Sequence, residues 1–204
     1  MKNNFYLLSF KKIAIIMVIF STLTGCSLFR NYSRISILED LANASRITKY
    51  EAIYFDINKR SPLILLNQSI VKNTKANKLT NYKLFHTLTL TENSFVVNDS
   101  AYLIIDKEVF TLIPERKELD SKREVSVDKN TILTSDSTKI DVVSGYNVST
   151  RNLVRYIYNL KPEQVNKLKE AKTINFQYYA GPHIIVAKVR PLQAKKMKRF
   201  FETF

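Results

Sequence analysis

Three glycines, two histidines, one cysteine and no tryptophan in 204 residues leave few ways to build a chemical centre. With only Gly25, Gly145 and Gly181, a glycine-rich loop that cradles phosphate cannot be assembled. No Gly-x-Ser-x-Gly segment is present, which removes the nucleophile elbow of one large hydrolase class. His86 and His183 are far apart, and neither His-x-His, His-Glu-x-x-His nor a Cys/His cluster occurs, so zinc-ligand spacing is missing. The Asp-x-Asp-x-Asp-Gly pattern of a calcium loop is missing too. His86 sits in an alternating apolar segment and reads as structural; His183 sits in a turn and reads as surface polar. Asp136 with Asp141, and Glu115 with Glu118, are acid pairs at short spacing. Solvated loop charges account for them better than a paired-carboxylate glycosidase site. No residue is nominated as catalytic, and no metal or cofactor is expected.

The first 26 residues are built differently from the rest. Lys2, Lys11 and Lys12 precede a continuously apolar run at 13–20, and no acidic residue occurs before Glu39. Charge, apolar run and small residues in that order make an export signal. The run is shorter than the roughly 20 apolar residues a membrane-spanning helix needs. Ser21 and Thr22 follow, then Leu23-Thr24-Gly25-Cys26. This segment resembles the lipobox of bacterial lipoproteins, a resemblance confined to residues 1–26. It implies cleavage before Cys26, a thioether from the Cys26 sulfur to diacylglycerol, and frequently acylation of the freed amine. A cysteine suits that chemistry because its thiolate is a strong nucleophile. One acyl chain holds a protein only marginally, whereas two or more anchor it stably. The residue after the cysteine influences sorting in such proteins. Ser27 is not the aspartate associated with inner-membrane retention, which implies the periplasmic leaflet of the outer membrane in a two-membrane cell.

If Cys26 carries lipid, the mature chain has no thiol left and must fold on its apolar core alone. Residues 26–204 are about one domain's length, and hydrophobic residues make up 45% of the chain, ample for a packed core. The net charge of +14 falls to +11 without Lys2, Lys11 and Lys12. Such a balance suits phosphate binding, but export places the chain where nucleic acid is not the usual ligand. Anionic lipid or an acidic envelope polymer is the more available partner.

Residues 26–36 read as a tether and 37–204 as one domain. Ser36 and Glu39 form a Ser-x-x-Glu pattern ahead of Ile37, Leu38, Leu41 and Ala42, which predicts a short helix at 37–45. Strands are expected at 50–57, 63–66, 82–90, 95–97, 101–105, 109–113, 140–143, 153–160, 173–180 and 184–189. Residues 67–81 read as a polar loop, and 115–130 as a charged, mobile excursion with at most a short strand at 125–127. Pro162 and Pro191 open helices, since proline costs nothing at a first helical position. The expected class is α+β: an antiparallel, sheet-rich domain with a few short helices.

The final helix is amphipathic. Met197, Phe200, Phe201, Phe204 and Ala194 share one side; Lys195, Lys196, Lys198 and Arg199 share the other. The cations offer contact with an anionic surface; the plainer reading is a helix that closes the core with its charges in water. The chain as a whole reads as a lipid-anchored envelope protein, a non-enzymatic module for a protein partner or an anionic polymer. Hydrolysis of envelope polymers and an immunity-type inhibitory role are the alternatives.

Overall fold

The computed structural model describes residues 31–75 and 78–202, and among these the chain is mostly β, with ten strands and two helices. Strands β1 (Ser33–Asp40), β2 (Ser45–Tyr54), β3 (Leu63–Lys75) and β4 (Lys78–Thr91) form a meander. A hairpin follows, β5 (Ala101–Ile105) and β6 (Glu108–Leu112). The long strands β7 (Arg116–Leu133) and β8 (Lys139–Asn159) come next. Helix α1 (Pro162–Glu170), the hairpin β9 (Ile174–Ala180) and β10 (His183–Lys188), and helix α2 (Pro191–Glu202) complete the described chain. A six-stranded sheet runs β1-β2-β3-β4-β8-β7, and a four-stranded sheet runs β10-β9-β5-β6. Every strand pair is antiparallel.

Alternation decides what each sheet buries. Tyr50, Ala52 and Tyr54 of β2, Ile70 of β3, Leu84 and Leu88 of β4, and Val154, Tyr156 and Tyr158 of β8 all face inward. One part of this face is covered by the four-stranded sheet, through Phe176 against Tyr54 and His86, and Tyr178 against Tyr156. The other part is covered by α2, whose Phe200 meets Tyr50 and Tyr82. Both helices start alike. Pro162 and Pro191 take the first position, and Gln164 and Gln193 reach back to accept the N–H of Lys161 (2.9 Å) and Arg190 (3.1 Å). This is half of a capping box. Gln193 also donates to the carbonyls of Tyr32 (3.1 Å) and Ile53 (2.9 Å), which ties α2 to the first two strands.

Four of the described turns contain positive φ; besides those at Ala44 and Ser137, two more make close contacts with the rest of the fold. Asp106 and Lys107 both have positive φ in the β5–β6 turn. The Asp106 carboxylate holds that turn by accepting the N–H groups of Lys172 and Thr173 and the Thr173 hydroxyl. These bonds hold its pKa below the usual aspartate value. In the β9–β10 turn Gly181 has φ +56, and a Cβ there would lie 2.5 Å from Cγ of Phe95. Gly181→Ala is therefore expected to cost about 1–2 kcal/mol from the left-handed backbone, read by urea denaturation. A Phe95→Ala background that abolished the loss would show the ring clash, not the backbone, to be the cause.

Several expectations are corrected. Residues 37–45 are not a helix: β1 and β2 pair from Ser33↔Ala52 to Asp40↔Ser45. The first strand thus begins inside the expected tether. The stretch at 67–81 is not a loop but the paired ends of β3 and β4, joined from Asn67↔Thr87 to Asn73↔Asn81 and, after a one-residue register shift, from Thr74↔Leu79 to Lys75↔Lys78. Residues 95–97 form no strand; only Val97 makes a bridge, to Ala180. The charged stretch at 115–130 is ordered into β7, and 140–143 and 153–160 are two parts of one strand, β8. Helices at 162 and 191 and strands near 82–90, 101–105, 109–113, 173–180 and 184–189 agree with expectation.

Candidate functional site

The residues of the lipid-attachment motif, Leu23, Thr24, Gly25 and Cys26, lie outside the described residues. The two histidines do not meet. His86 is 1% exposed at the centre of the sandwich. Its Nε2 donates to Gln68 Oε1 at 2.9 Å, which leaves Nδ1 to accept the Tyr178 hydroxyl. Burial pushes its pKa down to about 3, so the ring is neutral and links the two sheets. Around it, burial raises the phenol pKa values of Tyr54, Tyr158 and Tyr178 well above the usual value, and that of Tyr50 to about 12. The Tyr158 hydroxyl and Gln68 Nε2 are buried without a hydrogen-bond partner. A neutral, inaccessible imidazole among protonated phenols is a structural junction. His183 is half-exposed at the start of β10, 6.1 Å from the Phe95 ring.

The acid pairs are not brought into one site. Asp136 accepts from Thr134 and Thr138, and Asp141 from Thr131 (2.8 Å). Glu115 holds Lys83 (3.2 Å), and Glu118 holds Arg116 (2.8 Å). Among the described residues no three His, Cys, Asp or Glu side chains gather in a metal-binding arrangement. No helix among them is long and apolar enough to cross a membrane.

The four cations of α2 do not act as one free patch. Lys195 and Arg199 are exposed one turn apart, Lys198 is half-buried, and Lys196 donates to the Ser33 carbonyl at 2.7 Å. The opposite side is core: Met197, Phe200 and Phe201 are buried. Lys72 reaches the end of this helix from β3, donating to the Phe200 carbonyl (3.4 Å) above the Phe200 ring. A cation there also suits the negative end of the helix dipole.

The feature that the charge-rich sequence concealed is an arm. Pairing between β4 and β8 ends at Thr91↔Arg151, but β7 and β8 stay paired with each other out to Leu133↔Lys139. At ~3.4 Å per residue, the free part of this hairpin reaches roughly 35 Å beyond the body. Its two faces differ. On one, Glu118, Asp120, Lys122 and Glu124 meet Arg155 and Arg151, with Arg155–Asp120 at 3.2 Å and Lys122–Glu124 at 2.7 Å. The other continues the core face, since Leu119 pairs with buried Val154. Further out on that face stand Val125 opposite Val148 and Val127 opposite Tyr146, exposed by 44–69%. The tip is a polar turn closed by Thr134 N–H to the Thr138 carbonyl (2.9 Å). The alternation Val125-x-Val127 and Tyr146-x-Val148 was the available signal, diluted by polar residues at the same parity.

No protein-family model matches this chain, and no curated protein matches it significantly.

Proposed function

We propose that this chain is a lipid-anchored protein of the bacterial envelope, held through Cys26 at the periplasmic face of the outer membrane. On this reading it is a small α+β module that works by binding, and the β7–β8 arm is the part that engages a protein partner. The observation that carries the reading is the arm's uncovered apolar face. A two-stranded hairpin alone is marginal in water and gains stability from a third strand or a packed surface. Valines and a tyrosine on the face that continues the core await such a layer. Two apolar rungs, Val125–Val148 and Val127–Tyr146, lie together; nearer the tip Ile132 pairs with Ile140, and Leu133, Val142 and Val143 are exposed too. Lys129 and Thr131 interrupt the apolar positions of β7, so the arm lacks the unbroken apolar alternation over roughly 9–11 residues of a membrane-crossing strand. A protein surface or an added strand is the matching occupant.

Replacing residues 123–150 with Asn-Gly, a favoured two-residue hairpin turn, joins Lys122 to Arg151, which already face each other. The body is expected to keep its melting temperature within a few degrees. A partner that co-purifies with the intact protein from detergent-solubilised envelopes is expected to be lost. Retention of that partner by the armless variant would refute the arm as the docking element. The anchor is tested by palmitate-analogue labelling, which Cys26→Ala is expected to abolish.

A further inference from the structure

Among the described residues, no helix and no second sheet covers the outer face of the six-stranded sheet, and its middle holds a groove. Glu51, Ser69 and Phe85 lie side by side on one rung of β2, β3 and β4; Ile53, Asn67 and Thr87 lie on the next. Small polar side chains in the centre, between Tyr32 and Ile53 on one flank and Phe85 on the other, leave a groove of about 320 Å³. That is the low end of ligand-pocket size, enough for about one or two sugar rings. The lining is chemically mixed. Two aromatic rings flank hydroxyl and amide groups that both donate and accept. The Ser69 hydroxyl is buried with no hydrogen-bond partner. The ionised group in the groove, Glu51, is already held by Lys49 at 2.6 Å.

We propose that this groove binds a neutral saccharide unit. A pyranose offers apolar C–H faces for the rings of Phe85 and Tyr32 and hydroxyls for Ser69, Asn67 and Thr87. A free anion is a poor fit, because the groove presents a carboxylate and no unpaired cation. An extended peptide is also a poor fit. Strands β2, β3 and β4 are paired on both sides here, so no backbone edge is open to an added strand. The site is independent of the arm, which projects from the β8–β7 edge of the sheet.

The test is an amide-resolved NMR titration of the full chain in zwitterionic micelles with two probes, maltose and the N-acetylglucosamine disaccharide. Saturable shifts with at least one, confined to residues near 51–53, 67–69 and 85–87, are expected. Phe85→Ala is expected to weaken binding at least about tenfold, or 1.4 kcal/mol. Asn67→Leu fills the groove floor from an exposed position without touching the core and is expected to weaken it as much. Absence of saturable shifts with both sugars, or variants that bind as well as the parent, would overturn the proposal. So would shifts in these rungs on concentrating the protein alone, which would give the groove to a second copy. The armless variant is expected to bind sugar normally, so failure of the arm reading and failure of this one are separable.

Discussion

Acidification from pH 7 to 4 is expected to remove roughly 3 kcal/mol of folding stability through His86 alone. The ring is buried and neutral, with its pKa lowered from 6.5 to about 3. The unfolded chain takes up a proton near pH 6.5 and the folded chain does not. The contribution of His86 is therefore complete above about 6.5 and is lost as pH falls towards 3, by about 1.4 kcal/mol per pH unit. The geometry explains why the folded state resists. Both ring nitrogens are engaged, Nδ1 as an acceptor from Tyr178, so protonation breaks that bond as well as burying a charge. Urea midpoints from pH 7 to 4 read the effect. His86→Gln is expected to be less stable at pH 7 and to flatten the slope between pH 6.5 and 4. An equal slope in parent and variant would show that other groups carry the acid sensitivity.

The same junction explains what could and could not be read from the sequence. The segment Asn67 to Lys75 looks like a loop because polar residues occupy its inward positions. Gln68 is buried because it accepts from His86, and Lys72 because it meets the end of α2. Both partners are distant in sequence, so the alternation that marks a strand is broken by side chains whose reason is tertiary. The helix expected at 37–45 fails for the opposite reason. Ile37, Leu38 and Leu41 suggest an apolar stripe, yet they are among the more exposed hydrophobics, and pairing with β2 sets the conformation. In β7 the strand period is present but reads as charge, because Glu118, Asp120, Lys122 and Glu124 occupy one face. Their partners Arg151 and Arg155 lie on β8. Segments whose alternation is apolar, such as Leu84 to Leu90 and Ile174 to Ala180, are legible because burial alone determines them. Both proline-started helices are legible because proline and the first turn are local. The groove is invisible in sequence, since its rungs combine residues from three strands.

Phe200→Ala is expected to cost about 3–5 kcal/mol, the range for removing a fully buried aromatic ring. Its side chain is wholly buried and touches the rings of Tyr50 (6.1 Å), Tyr82 (6.3 Å) and Phe201 (5.1 Å). A domain of this kind is held by about 5–15 kcal/mol in all, so the urea midpoint should fall steeply. The charged side of α2 should behave differently. Lys195→Ala removes an exposed cation and is expected to stay within about 0.5 kcal/mol. Lys196→Ala loses a hydrogen bond to the Ser33 carbonyl and is expected to cost about 1 kcal/mol. This ordering separates the two readings of the final helix. A helix that closes the core depends on Phe200 and tolerates the loss of Lys195. A helix made for an anionic surface would show the reverse, with stability little changed by Phe200→Ala and binding to anionic vesicles lost with Lys195. The first ordering is expected because Gln193 fastens the start of α2 to β1 and β2, and Lys72 meets its end from β3. Fixed at both ends, α2 has its apolar side committed to the sheet, and an anionic partner could meet only the charges that remain in water.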